Sequence, residues 1–546
     1  MVKKSILLIW TIISWFSLPV AGADMHRCEV CVYGESAAGV MAAIQAARMG
    51  KNTILVSKNG HVGGLATSGL TATDINRHTI IGGLAEEFYR RIYDYYLADS
   101  AWRNQTRDEF MVLTRKRTFS GKSDARRMQW VYESGVGERI LKQMLAEAGV
   151  KVLHKARLDL KHGVVKQGTT IRRIRLEDGR SIAAGMFIDA SYEGDLMALA
   201  GVSYIVGRES RWQYGETLAG IRLDGVVDRS PYADEAAGRL LPYVDAALWG
   251  REGDADGRTQ SYCYRLTLTD DPANRIPIVR PENYNSELYE VILARKISRN
   301  PDVQLKDVIT FTPMPNRKTD TNHLDFVGAS HGYPEGDYVE RERIERAHKD
   351  YALGMLWFLG NDPRVPEHLR NEMKRWGLAA DEFADSGHFP YQIYVREARR
   401  MIGQEIMTEH NVRRDLRVEA RCPVGVGSYM LDCHYVSHVA GDDGKIHIEG
   451  NIFTSTRPYP IGYYSLVPKA EECGNLLVPV CLSASHVAYA SIRMEPTYMV
   501  LGQSAAAAAA LALDAGCSVQ QVDYAKLKNV LSAAGQILTP TDRKTE

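Results

Sequence analysis

The chain has 546 residues, 45% of them hydrophobic and 25% charged, and its formal net charge is +0. That length exceeds one ordinary core, so two or three domains are expected. The balanced charge gives no sign of a nucleic-acid or anionic-membrane surface, and the composition is that of a globular protein.

The first segment is not part of the fold. Lys3-Lys4 precede an apolar run over 6–20, and Ala21-Gly22-Ala23 follows as a small-residue cleavage site. This pattern predicts a secretory signal peptide over 1–23 and a periplasmic or secreted mature protein. No later stretch approaches the ~20 apolar residues of a membrane span. Export makes disulfides possible among the eight cysteines. Cys28 and Cys31 fall on a predicted strand, where residues three apart point to opposite faces. They read as buried thiols rather than as a redox or zinc pair.

Val30, Val32 and Tyr33 form a predicted buried strand that runs into Gly34-Glu35-Ser36-Ala37-Ala38-Gly39. A small-residue helix over 40–49 and a second strand, Thr53-Ile54-Leu55-Val56, follow. This is the first βαβ unit of a dinucleotide fold, in which a tight turn delivers pyrophosphate to a helix N-terminus. Two positions depart from the usual fingerprint. Ser36 stands where a second glycine is expected, and its hydroxyl could itself donate to a phosphate oxygen. Ser57 ends the second strand where an acid normally takes the ribose hydroxyls, which predicts loose, non-covalent cofactor binding. An acid restored at position 57 is expected to tighten it.

His61-Val62-Gly63-Gly64 comes next, with Thr67 and Ser68 placed to donate to phosphates or a ring edge. Amphipathic helices are predicted over 83–96 and 136–148. Strands follow at 150–153, at 172–176 with a hairpin turn at Glu177-Asp178-Gly179, and at 186–190. The mixed segment 216–465 is predicted to be a second domain. Gly474 to Val480 then returns as a buried strand, and a long helix over 498–515 closes the chain. The domain reading is therefore 24–215 and 466–546 for one unit, with 216–465 inserted.

These pieces, in this order, resemble the FAD-dependent oxidoreductases with a glutathione-reductase-like fold, and more closely the bacterial group labelled xanthan-lyase-like. The resemblance is carried by 34–39, 61–70, 188–196, Leu268-Thr269-Asp270-Asp271-Pro272, 315–320, 394–401, 483–488, Arg493-Met494-Glu495-Pro496 and Gly502-Gln503. It implies an α/β class: an FAD-binding Rossmann domain with an inserted α+β substrate or cap domain. It also implies FAD as the cofactor, held by Gly34, Ser36, Gly39, Ser57, Gly63, Gly64, Thr67, Ser68, Ala190, Ser191, Arg493, Glu495, Gly502 and Gln503. Leu158 would offer its main chain to adenine. The helix that opens at Arg493-Met494-Glu495-Pro496 would aim its positive end at the flavin.

Three residues are candidates for the chemistry. His486 precedes the returning segment, and His434 has Asp432 nearby to orient its ring. Arg396 sits with Glu397 and Arg400 on a predicted helix, either to bind an anionic group or to form internal ion pairs. The expected reaction is hydride loss from a carbon bearing a hydroxyl or amine, on a small molecule or a saccharide, with a histidine taking the proton. The electron acceptor is open. Tyr89 to Tyr96 and Trp102 are either core residues or a sugar-stacking surface. Two other readings stand beside this one: a carbohydrate-active lyase or hydrolase that uses flavin transiently or structurally, and a binding protein that has lost FAD.

Overall fold

The computed structural model describes residues 24–114, 127–413, 415–416 and 418–540, and the predicted signal peptide lies outside them. Its frame is a seven-stranded sheet. At its centre is β1 (Met25–Tyr33), buried from Val30 onward as befits a strand covered on both faces. On one side β1 runs parallel to β2 (Thr53–Val56), which runs parallel to β3 (Lys151–Leu153). An antiparallel hairpin, β4 (Val164–Gln167) and β5 (Thr170–Arg175), leads into β6 (Ser181–Asp189), which lies parallel to β1 on its other side. The short β7 (Leu476–Leu477) returns from far along the chain and pairs with the end of β6. Tyr33 is level with both Val56 and Asp189, so three strands finish together at one edge. In an open α/β sheet that edge is where ligands bind.

Helix α1 (Ala37–Arg48) follows β1 and is capped by Ser36. Helix α2 (Gly83–Tyr95) and helix α3 (Ser134–Glu147) cover the same side. The last long helix, α4 (Glu495–Ala515), is packed against α1: a Cβ added at Gly502 would lie 2.1 Å from the Ala38 carbonyl oxygen. The sequence suggested no later stretch of membrane-spanning length, yet α4 is long and apolar enough to qualify. It is a core helix, apolar all round because it is buried all round.

Residues between 216 and 465 build mainly antiparallel sheets. One orders strands 275–277, 377–379, 266–269, 318–322 and 310–314, and another orders 244–245, 437–440, 446–449 and 223–227. A single apolar core runs from Val40 and Leu65 through Tyr262 and Leu356 to Val487. Tyr89 and Tyr96 belong to it, so those tyrosines are core rather than a stacking surface. All eight cysteines are free thiols; Cys31 is buried and Cys28 half-buried.

Candidate active site

The turn after β1 lines a cavity of about 180 Å³ together with Ser191, Tyr192, Glu193, Lys58, Arg157 and Arg341. Gly34 makes the turn with φ +106°, and a Cβ there would meet the Ser191 nitrogen at 2.4 Å. No other residue allows the β1 and β6 ends to approach this closely. Ser36 Oγ donates to the Ala190 carbonyl at 2.6 Å and accepts from Gly39 N–H at 3.3 Å. Its hydroxyl thus ties β6 to α1 and is not free to donate to a phosphate. Ser57 is fully buried, and its hydroxyl lies 2.9 Å from the carbonyls of Asn59 and His61. A carboxylate does stand at the end of β2, but it comes from the turn. Glu35 accepts from Lys58 N–H at 3.0 Å and from Asn59 Nδ2 at 2.9 Å. Sequence reading missed Glu35 because it is the variable position of the fingerprint. Across the cavity, Lys58 Nζ pairs with Glu193 Oε1 at 2.9 Å.

A second cavity, of about 380 Å³, opens among residues of the 216–465 segment and holds His434 in its wall. His434 follows the strand Leu431–Cys433, whose pairing with Ile452–Thr454 sets Asp432 opposite Phe453. The His434 main-chain N–H donates to Gln260 Oε1 at 3.1 Å. Its ring Nδ1 donates to Asp325 Oδ2 at 2.9 Å, and Nε2 lies 3.5 Å from Asp432 Oδ2. Asp325 is held in turn by Arg396 at 2.7 Å, and Asp432 faces Arg493 at 3.5 Å. Burial and the Arg396 charge oppose a proton on His434. Asp325 and Asp432 outweigh them and raise its pKa above the ordinary imidazole value. Both carboxylates are held well below the usual range: burial opposes this, but Arg396 and His434 prevail at Asp325, and His434 and Arg493 at Asp432. The result is an imidazole gripped between two ionised carboxylates, set in the wall of a small-molecule-sized cavity.

The model of the FAD dependent oxidoreductase family matches residues 29–531. The chain belongs to that family. It is an oxidoreductase enzyme, and FAD is its cofactor. No curated protein matches the chain. Among solved structures, it matches OxyS anhydrotetracycline hydroxylase from Streptomyces rimosus at 13% identity, over 34% of this chain and 36% of that one, with a TM-score of 0.22. L-amino acid deaminase from Proteus vulgaris matches at 16%, over 38% and 56%, with a TM-score of 0.23. L-proline dehydrogenase from P.horikoshii matches at 15%, over 34% and 59%, also at 0.23. This FAD-dependent oxidoreductase thus spans less than two thirds of the length of each of these three proteins.

The start of α4 has the polarity an FAD site needs. Arg493 is buried, donates to the Tyr394 hydroxyl at 2.7 Å and to the Asp432 carbonyl at 2.5 Å, and leaves its Nε without a partner. Glu495 Oε1 accepts from Tyr192 at 2.8 Å while its buried Oε2 has none. Burial pushes the Glu495 carboxyl up to about 8, against the hydrogen bond from Tyr192. Two buried polar atoms without a partner at the start of α4 fit a polar ring edge better than an apolar contact. The Tyr192 hydroxyl also accepts from Leu65 N–H at 3.0 Å and lies over Gly64, where a Cβ would meet it at 2.4 Å.

Other expected cofactor residues serve the scaffold. Thr67 Oγ1 donates to the Val62 carbonyl at 2.7 Å, and Ser68 Oγ accepts from Gln392 N–H at 3.0 Å. Gln503 clamps α1 to α2, accepting from Leu84 N–H at 2.9 Å and donating to Gln45 at 3.0 Å. Ser191 Oγ donates to Asp189 at 2.6 Å. Leu158 lies beyond β3, and tyrosine hydroxyls take both its main-chain groups: its N–H donates to Tyr33 at 3.4 Å and its carbonyl accepts from Tyr338 at 3.0 Å.

The catalytic candidates separate. His486 opens the helix His486–Ile492, is 1% exposed and lines neither cavity. Its Nε2 accepts from Gly220 N–H at 3.3 Å. Burial and then the nearby Arg400, Arg208 and Arg222 hold its pKa well below the ordinary value. Arg396 is not helical, contrary to the spacing argument; only Arg400–Met401 of that stretch is regular, as a strand. The chain is irregular from Val395 to Arg399, so Arg396 and Arg400 do not share a helix face. Arg396 takes Asp325, and Arg400 takes Glu209 at 2.5 Å and Glu397 at 2.9 Å. Long-range ion pairs of fully buried guanidiniums override the local helical pattern.

Proposed function

We propose that this oxidoreductase is exported and oxidises a carbon bearing a hydroxyl or amine: the C–H hydrogen leaves with both bond electrons as hydride, and His434, the general base, takes the proton of that hydroxyl or amine. The substrate is a small molecule or saccharide that enters the cavity of about 380 Å³. The observation that carries this reading is the His434 ring, which lines that cavity with Nδ1 on Asp325. A base oriented by a carboxylate through its other ring nitrogen is the arrangement that fixes a tautomer and stabilises the protonated ring. Asp325 orients the ring, and Arg396 holds Asp325 from behind. Bound FAD supplies the acceptor for the two electrons of the substrate C–H bond.

Gly34, Ser36 and Gly39 would receive the pyrophosphate at the start of α1, with Lys58 and Arg341 as the nearby cations and Glu35 as the acid for ribose. Gly63, Gly64, Arg493 and Glu495 would border the flavin. The cavity beside Gly34 is smaller than the ~300–1,000 Å³ of most small-molecule sites, so the Lys58–Glu193 pair must part as the dinucleotide enters. The segment 216–465 acts as the cap that carries the substrate cavity. The apolar run over 6–20 and its small-residue cleavage site support export. Anaerobic mixing of purified enzyme with candidate substrates, followed by flavin absorbance, tests the reading: His434→Asn must keep FAD and lose rapid bleaching.

A further inference from the structure

The electrostatics around His434 are almost closed. Arg396 is paired with Asp325, Arg493 faces Asp432, and Arg265 is paired with Asp320 at 2.7 Å. In the same cavity wall two cations are left over. Arg295 and Lys296 sit on the single helical turn Leu293–Ile297 and line the cavity, and neither forms an ion pair with a carboxylate among the described residues. Arg295 donates to the Tyr435 hydroxyl and stacks 4.7 Å over that ring. Lys296 reaches only the Asp307 carbonyl, at 3.5 Å. A third wall residue that might have neutralised them, Glu287, is committed to Arg239 at 2.8 Å.

The remaining wall is divided: Tyr243, His323, Asp325, Asp432, His438 and Asn451 put polar groups on one part of it, and the other part is apolar. Leu241, Leu288, Val291, Ile292, Phe326 and Val327 present no side-chain donors or acceptors. Each sugar hydroxyl placed against them would give up its bonds to water without replacement. An apolar body suits that part, and an anion suits Arg295 and Lys296. A guanidinium and an ammonium together are a standard carboxylate receptor, the first by geometry and the second by charge.

We propose that the cavity selects a carboxylate-bearing substrate with an apolar body, its carboxylate at Arg295 and Lys296 and its reacting carbon toward His434. This rests on the reading of the cavity as the substrate site and narrows it from small molecules and saccharides to organic acids. The test uses the holoenzyme and two isosteric probes, benzoate and benzamide, titrated against the flavin absorbance spectrum. Benzoate is expected to bind at least 10-fold more tightly than benzamide, and to weaken at least 10-fold in Lys296→Met and in Arg295→Met. Lys296 is exposed, so its variant should fold; the comparison of the two probes on the parental enzyme requires no variant at all. Equal binding of benzoate and benzamide, no benzoate binding, or undiminished benzoate binding in both variants would overturn the proposal. A His434→Asn enzyme that still bleached at the parental rate would instead remove the assignment of the base and leave the benzoate result standing.

Discussion

His434 and Asp325 are 109 positions apart in the chain, and their side chains meet at 2.9 Å. The contact joins the end of the Leu431–Cys433 strand to the loop after Lys318–Asn322, where the Tyr262–Phe326 bridge fixes the backbone. Arg396 closes the set from behind, fully buried, with Asp325 as its ion-pair partner.

Arg396 is therefore a positioning residue. Arg396→Met leaves Asp325 buried without its cation, a loss of about 3–5 kcal/mol for a broken buried pair. Thermal melting and urea titration would read this. The variant has a second consequence that a purely structural arginine would not have. The Arg396 charge opposes protonation of His434, so its removal should move the acid limb of the activity profile to higher pH, while Arg396→Lys restores most of the parental position. An acid limb that does not move separates Arg396 from the chemistry.

Ser57→Glu, read from sequence alone, should tighten FAD by supplying the missing ribose acid. The buried Ser57 hydroxyl and the carboxylate of Glu35 already at the end of β2 reverse that expectation. A second carboxylate there is desolvated and faces a like charge, so the variant should lose at least 1–2 kcal/mol or so of stability and gain no FAD affinity. Glu35→Gln should be the substitution that weakens FAD. Fluorescence titration of FAD into apoprotein decides between the two positions; tighter binding in Ser57→Glu would return the ribose acid to position 57.

Glu495 gives a pH signature. Its folded-state pKa, about 8, lies above its ordinary 4.5. The folded state then binds more protons than the unfolded state between those values, and stability falls as pH rises through that window. Glu495→Gln removes the titration, so the melting temperature of the parental protein should decline relative to the variant from about pH 4.5 to about pH 8. Parallel curves would mean that Glu495 is ionised in the fold.

His434 has the same sign in a higher pH window. Its raised pKa favours the folded state when the ring is protonated, a contribution fully present below the unfolded value of about 6.5 and lost as pH rises through the folded value. His434→Asn should remove that decline. A decline that persists unchanged in the variant would place the proton elsewhere.

The local parts of this fold were legible. β1, α1 and β2 follow from apolar periodicity and a glycine turn within about thirty residues, where neighbours in sequence are neighbours in space. The core helix α4 and the returning strand β7 were also readable, because burial on all sides leaves a continuous apolar run. What failed was long-range. Asp432 does face the His434 ring, at 3.5 Å from Nε2, but the shorter bond goes to Asp325, 109 positions away and without a sequence signal. Arg396 to Arg400 has the spacing of a helix face and is irregular up to Arg399, because each guanidinium answers to a carboxylate from another segment. Ser36 and Gln503 carry family motifs but spend their side chains on α1, α2 and β6. A motif records that a residue type is needed at a position; it does not say whether the need is a ligand or a neighbouring strand. Arg295 and Lys296 carried no sequence signal at all, since an uncompensated charge is visible only after every other pair has been assigned.

The most direct test of the account is the anaerobic rate of flavin bleaching by a substrate, measured across pH for the parental enzyme, His434→Asn and His486→Asn. The account predicts that His434→Asn retains FAD and fold while bleaching slows ~100- to 10,000-fold, as for loss of a general base. The parental rate should fall on the acid side with a midpoint above the ordinary histidine value, and His486→Asn should keep the parental profile in whatever protein folds. Parental bleaching by His434→Asn, or loss of the acid limb in His486→Asn alone, would contradict it.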